Sequence, residues 1–107
     1  MERRDNQRIP LDMPCLLTLM VNGSGAYSAM AVDVSAGGVQ IALSPGTSED
    51  AVAVGGNVVL RDALPPFASM LDGATGTIAW VGRRCCGVRL DKSLELAPSE
   101  LANLAKL

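Results

Sequence analysis

Three arginines, one carboxylate and one hydroxyl are the side chains whose types and spacing point to chemistry. Arg3, Arg4 and Arg8 crowd the segment Arg3-Arg4-Asp5-Asn6-Gln7-Arg8. Asp33 and Ser35 stand two apart in Asp33-Val34-Ser35-Ala36-Gly37-Gly38, just before a glycine pair. Residues two apart on a strand share a face. A guanidinium is a planar fork of donors that can grip a phosphate bidentately, reach guanine O6 and N7, or stack on a purine. A carboxylate can accept from the N–H groups of a guanine edge, and a serine hydroxyl can donate to a phosphate oxygen. Gly38 permits close backbone approach or positive φ. The set suits a small anion that carries both phosphates and base edges.

Other chemistries lack their parts. The chain has no histidine, so neither a His acid–base group nor a Ser-His or Cys-His pair can form. There is no P-loop and no dinucleotide fingerprint, and an enzyme is not expected. Cys15, Cys85 and Cys86 are odd in number and lack C-x-x-C spacing, so they read as small apolar strand residues and not as a disulfide framework or zinc site. No cofactor or metal is expected. A net charge of −2 and three aromatic residues argue against DNA or RNA, which need a basic footprint and stacking platforms. The positive charge is instead local, at Arg3, Arg4 and Arg8 and again at Arg83, Arg84 and Arg89.

Strand patterns must position these groups. Met13 to Val21 is an apolar run broken only by Pro14 and Thr18, and reads as a buried strand. Asn22 to Gly25 is a turn cluster. Tyr27 to Val34 alternates, which places Met30, Val32 and Val34 on the core face and Asp33 and Ser35 on the other. Gly38 to Leu43 sends Val39, Ile41 and Leu43 inward. Ser44 to Gly56 reads as a loop, Asn57 to Arg61 as a short strand, and Leu64 to Phe67 as irregular. Ser69 to Val81 reads as a long strand or hairpin with Asp72-Gly73 as its turn, and parity sets Trp80 beside Ile78, facing the core. On the last strand Cys86, Val88 and Leu90 share a face and Arg89 takes the other. At the tail, Pro98, Ser99 and Glu100 open a short helix over 98–106, with Leu101, Leu104 and Ala105 as an apolar stripe. Some six short strands with glycine-bearing turns predict an antiparallel barrel or sandwich.

The pattern R-R-x-x-x-R followed by D-x-S-x-x-G resembles the PilZ domain family. Gly76-Thr77-Ile78-Ala79-Trp80-Val81 and Gly87-Val88-Arg89-Leu90 resemble that family's last two strands. The resemblance covers nearly the whole chain. It implies an all-β fold, a six-stranded antiparallel Greek-key-like barrel with a short C-terminal α-helix. It also implies a receptor for the bacterial second messenger cyclic di-GMP. Arg4, Arg8, Asp33, Ser35 and Gly38 match the family's ligand-binding positions. A long basic residue at Arg3 goes, in the family, with an intercalated pair of ligand molecules. Arg84 and Arg89 are candidates for peripheral contacts, and Arg83-Arg84 reads equally as a solvated turn.

One domain over residues 1–107 is expected, with residues 1–10 a mobile arm that closes on the ligand and presents a surface to an unidentified protein partner. The alternative is a PilZ-like protein-interaction module that binds no nucleotide. No apolar run approaches the roughly 20 residues of a membrane span, and no apolar leader precedes the arginines. The expected setting is cytoplasmic.

Overall fold

The computed structural model describes residues 8–22, 25–47, 51–65, 67–94 and 98–105. Six strands, β1 (Ile9–Val21), β2 (Gly25–Ser35), β3 (Gly38–Leu43), β4 (Asn57–Arg61), β5 (Thr75–Gly82) and β6 (Cys85–Leu90), close into an antiparallel barrel in the order β1-β2-β3-β6-β5-β4. The all-β barrel implied by the family resemblance is therefore the fold. A four-residue helix α1 (Ala68–Leu71) precedes β5, and α2 (Pro98–Ala105) packs against β1 and β2. Among the described residues, no helix is long and apolar enough to cross a membrane.

The interior is aliphatic. Leu19, Ile41, Leu60, Ile78, Val34 and Cys86 are fully buried, and with the inward faces of all six strands they make one core. Val39, Ile41 and Leu43 point inward, as their alternation predicts, and Cys86, Val88 and Leu90 do the same on β6. All three cysteines are free thiols. Burial raises the Cys15 thiol, and pushes Cys86 up to about 11 with a smaller push from neighbouring Cys85. Both stay protonated near neutral pH and pack as small apolar groups.

Three sequence expectations change. β1 starts at Ile9, so Ile9 and Pro10 are strand residues and not arm. Residues 1–7, including Arg3 and Arg4, lie outside the described residues, as does residue 106 at the end of the expected tail helix.

The second change is at Ser69–Leu71, which is helical and not strand. Phe67, Met70 and Leu71 fall at i, i+3 and i+4, a helical period hidden in a very short window. Leu71 N–H donates to the Phe67 carbonyl (2.9 Å) and Asp72 N–H to that of Ala68 (3.0 Å). Phe67 and Leu71 are almost completely buried, so α1 plugs the barrel beside β4.

The third is the face of β2 and of β5. Ala29 and Ala31, and not Met30 and Val32, point into the core, and Val34 rejoins them further on. Along β2–β3 the partners run Ala31↔Ile41 and then Asp33↔Gln40, leaving Val32 as one extra residue. On β5 they run Ile78↔Val88 and then Trp80↔Gly87, leaving Ala79 extra. Each is a β-bulge, and one extra residue reverses the face of everything beyond it.

Replacing Phe67 with alanine removes the plug. The expected loss is about 3–5 kcal/mol, as for other buried Phe→Ala changes. Val54→Ala, on a residue that is 66% exposed, should shift stability by no more than about 0.5 kcal/mol. Urea unfolding of the two variants measures the difference.

Candidate functional site

The register of four strands lays out a grid on the outside of the barrel. One row runs Asp33–Gln40–Gly87–Trp80, through β2, β3, β6 and β5. The next row runs Ser35–Gly38–Arg89–Thr77 through the same strands. Neighbours along a row are about 4.8 Å apart, and the rows, two residues apart, about 6.7 Å. Gly38 and Gly87 have no side chain and form a low floor. Asp33, Ser35, Gln40, Trp80 and Arg89 stand around it. The cavity over this floor has a volume of about 430 Å³, and Arg8 lines it too. That is within the roughly 300–1,000 Å³ usual for small-molecule sites.

The grid depends on both bulges. Without Val32 as an extra residue, Asp33 would follow Ala31 into the core. Without Ala79, Trp80 would follow Ile78 inward, as simple parity predicts. Instead Trp80 is half-buried on the outside and lies flat over Gly87. A Cβ placed on Gly87 would fall 2.1 Å from Trp80 Nε1 and 2.5 Å from Cε2. The indole therefore occupies the space a side chain would take, which is also why Gly87 is buried on an outward-facing position. At Gly38 a Cβ would fall 2.8 Å from the Val88 carbonyl oxygen, so the absence of a side chain there serves close approach of β3 to β6, the first of the two roles expected of it.

Arg8 is the first described residue and reaches across to β3. Its Nη1 donates to Gln40 Oε1 at 3.0 Å and sits 3.8 Å from Asp33 Oδ2. Arg8 is largely exposed, while the Asp33 side chain is only 19% exposed. Burial raises the Asp33 carboxyl above its ordinary value, and the Arg8 charge offsets part of that rise. Ser35, held by the Ala36-Gly37 turn, is buried, and its hydroxyl donates to the Gly38 carbonyl at 3.3 Å.

The structure thus gathers Arg8, Asp33, Ser35, Gly38 and Arg89 around one cavity. Arg84 sits in the β5–β6 turn, with φ of 56° and its carbonyl accepting from Leu43 N–H, and does not line that cavity. Gln40, Gly87 and the outward pose of Trp80 escape sequence reading. A lone Gln on a strand looks like any solvent-facing polar residue, and a bulge leaves no mark in the alternation until the partner strand is known. A second groove of about 720 Å³ runs beside β1, β4 and β5. Among the described residues its only charged lining residue is Asp91, so these offer an anion no cationic donor.

The arrangement offers cationic forks, an acceptor carboxylate, a hydroxyl and an aromatic face, and among the described residues no cluster fit to hold a metal. The family model for the PilZ domain matches residues 2–105. The chain belongs to the PilZ domain family. No curated protein matches the chain. PilZ domains are cyclic di-GMP-binding modules, and they bind and adapt where enzymes would catalyse. In this PilZ domain the arginine-bearing segment and the Asp33–Gly38 segment meet at Arg8 and Asp33.

Because Trp80 is the sole tryptophan, its fluorescence reports directly on this seat. Gly87→Ala should lift the indole off the floor and shift emission to longer wavelength, with the far-ultraviolet circular dichroism of the barrel retained. An unchanged emission maximum would contradict the flat packing.

Proposed function

We propose that this PilZ domain is a cyclic di-GMP receptor whose N-terminal arginine arm closes over the bound ligand. Arm, ligand and barrel then form one surface for a downstream protein partner. The observation that carries the reading is the convergence of Arg8, Asp33, Ser35 and Arg89 on one cavity floored by Gly38 and Gly87. The family membership supports it independently.

Each group has a task that its chemistry allows. Arg8 keeps donors beyond those given to Gln40 and Asp33, and with Arg4 it grips phosphate or the O6/N7 edge of a guanine. Asp33 accepts from guanine N–H groups, and its burial sharpens that preference by excluding competing water. The Ser35 hydroxyl exchanges its Gly38 carbonyl for a phosphate oxygen. Trp80 offers the face turned away from Gly87 for base stacking. Arg89, on the second row, supplies positive charge at the rim, and Arg84 is a more distant peripheral contact. Arg3 provides a further guanidinium for an intercalated second ligand molecule.

Ligand binding answers an electrostatic need of the arm. Arg3, Arg4 and Arg8 are like charges within a short segment, and two phosphates supply the counter-charge. Closure of such a segment on an anion is an ordering switch of a common kind.

Titration calorimetry with cyclic di-GMP tests the reading. Binding is expected, with two ligand molecules per protomer if Arg3 holds the second. Arg8→Ala should weaken it about ten- to a hundredfold, the worth of one charged hydrogen bond of about 1.5–3 kcal/mol. A flat titration with folded protein would favour a module that binds protein alone.

The pH dependence follows from Asp33. Its folded-state pKa lies above the ordinary value of 3.8, and guanine needs the ionised form. Affinity should be level near neutral pH and fall as pH drops through the raised pKa, by about tenfold per unit below it for one linked proton. The free domain has the opposite interest. A raised carboxyl pKa in the folded state means that ionising Asp33 opposes folding, so its contribution to stability declines as pH rises from the ordinary carboxylate range through the raised value. Asp33→Asn should therefore bind cyclic di-GMP more weakly, lose the acid-side decline, and be no less stable to urea at pH 7.

A further inference from the structure

We propose that Gln40 sets the base specificity of the site, by donating its side-chain amide to O6 of a guanine whose N–H edge is held by Asp33. This rests on the cyclic di-GMP reading above and adds to it a residue outside both sequence motifs. Gln40 directly opposes Asp33 across β2 and β3. The Cβ atoms of such partners are about 4.5–5.5 Å apart on one face of the sheet, and both residues line the cavity.

The amide's orientation is decided by Arg8. Nη1 of Arg8 is 3.0 Å from Gln40 Oε1, and a guanidinium only donates. The oxygen end of the amide must face Arg8, so the NH2 end is left to donate elsewhere. Beside it stands the Asp33 carboxylate, which when ionised only accepts. The two adjacent strands thus present a donor next to an acceptor.

A guanine edge reads O6 acceptor, N1–H donor, N2–H donors in sequence. Placed against this pair, O6 meets the Gln40 amide while N1–H and N2–H meet Asp33. The corresponding adenine edge reads N6–H donor and then N1 acceptor, with no amine at C2. It sets donor against donor at Gln40 and acceptor against acceptor at Asp33. Gln40 could suit adenine only by turning its amide over, which would aim NH2 at the Arg8 cation. Arg8 is in this sense a lock on Gln40, and the same guanidinium nitrogen lies 3.8 Å from Asp33 Oδ2, so one cation holds both base-reading groups.

Calorimetric titration of cyclic di-GMP and cyclic di-AMP into the unmodified chain, Gln40→Leu and Gln40→Glu tests this. The unmodified chain should strongly prefer cyclic di-GMP. Gln40→Leu should narrow the ratio of the two affinities by about tenfold, the usual discrimination from one good base-edge contact, chiefly by weakening cyclic di-GMP. Gln40→Glu should narrow it further, because a carboxylate repels O6 and accepts from adenine N6. A merely structural role for Gln40 would weaken both ligands alike and leave the ratio unmoved. An unmoved ratio in both variants, with cyclic di-GMP still bound by the unmodified chain, overturns the assignment of Gln40 alone. Binding of neither ligand by the unmodified, folded chain overturns the receptor reading and this inference with it.

Discussion

A β-strand shows its side chains to alternate faces, and one surplus residue exchanges the faces beyond it. The outward pose of the carboxylate and the indole on this barrel depends on two such surplus residues, Val32 and Ala79. They keep Val34 and Ile78 in the core and at the same time turn Asp33 and Trp80 outward. Had β2 run without its bulge, a carboxylate would sit among Ala31, Ile41 and Cys15, where an unpaired charge is far too costly to keep. The bulges let one chain satisfy an aliphatic interior and a polar recognition surface on the same strands.

With the faces set, the two glycines decide the depth of the surface between them. Gly38 draws β6 close, and Gly87 yields its volume to an indole. What remains above them is a depression walled by charged and aromatic groups. Some of its polar groups already have partners in the free domain: Arg8 with Gln40 and Asp33, and Ser35 with the Gly38 carbonyl. Among the described residues no buried side-chain polar atom lacks one. A ligand therefore competes with internal hydrogen bonds as well as with water, and its advantage has to come from charge and base-edge complementarity.

The sequence made much of this legible, and the failures have a common cause. Local signals sufficed for the strand count, the inward faces of β3 and β6 and the tail helix, while the family resemblance implied Arg8, Asp33, Ser35 and Gly38 as one site with Arg89 at its periphery. What escaped was set by pairing between distant strands. Simple parity from Ile78 through Ala79 sends Trp80 into the core, and only β6 reveals the surplus. On β2 the same parity puts Met30 and Val32 on the wrong face. Gln40 carries no signal until it is seen opposite Asp33 and under Arg8. The helix at Ala68–Leu71 is one turn long, too short for its period to stand out from a strand. Apart from that helix, whose deciding contacts are local, the deciding contact lies far along the chain.

Closure of the six strands into a ring has a consequence for communication. An open sheet has an edge whose free N–H and C=O groups can recruit an extended peptide as an additional strand, largely regardless of its side chains. A closed barrel presents no such edge. Any protein that engages this domain must then recognise surface shape and side chains, and cannot borrow its backbone ladder. On a molecule of this kind a small change in what covers the outer face of β2, β3, β5 and β6 alters the identity that a neighbour docking on that face can read.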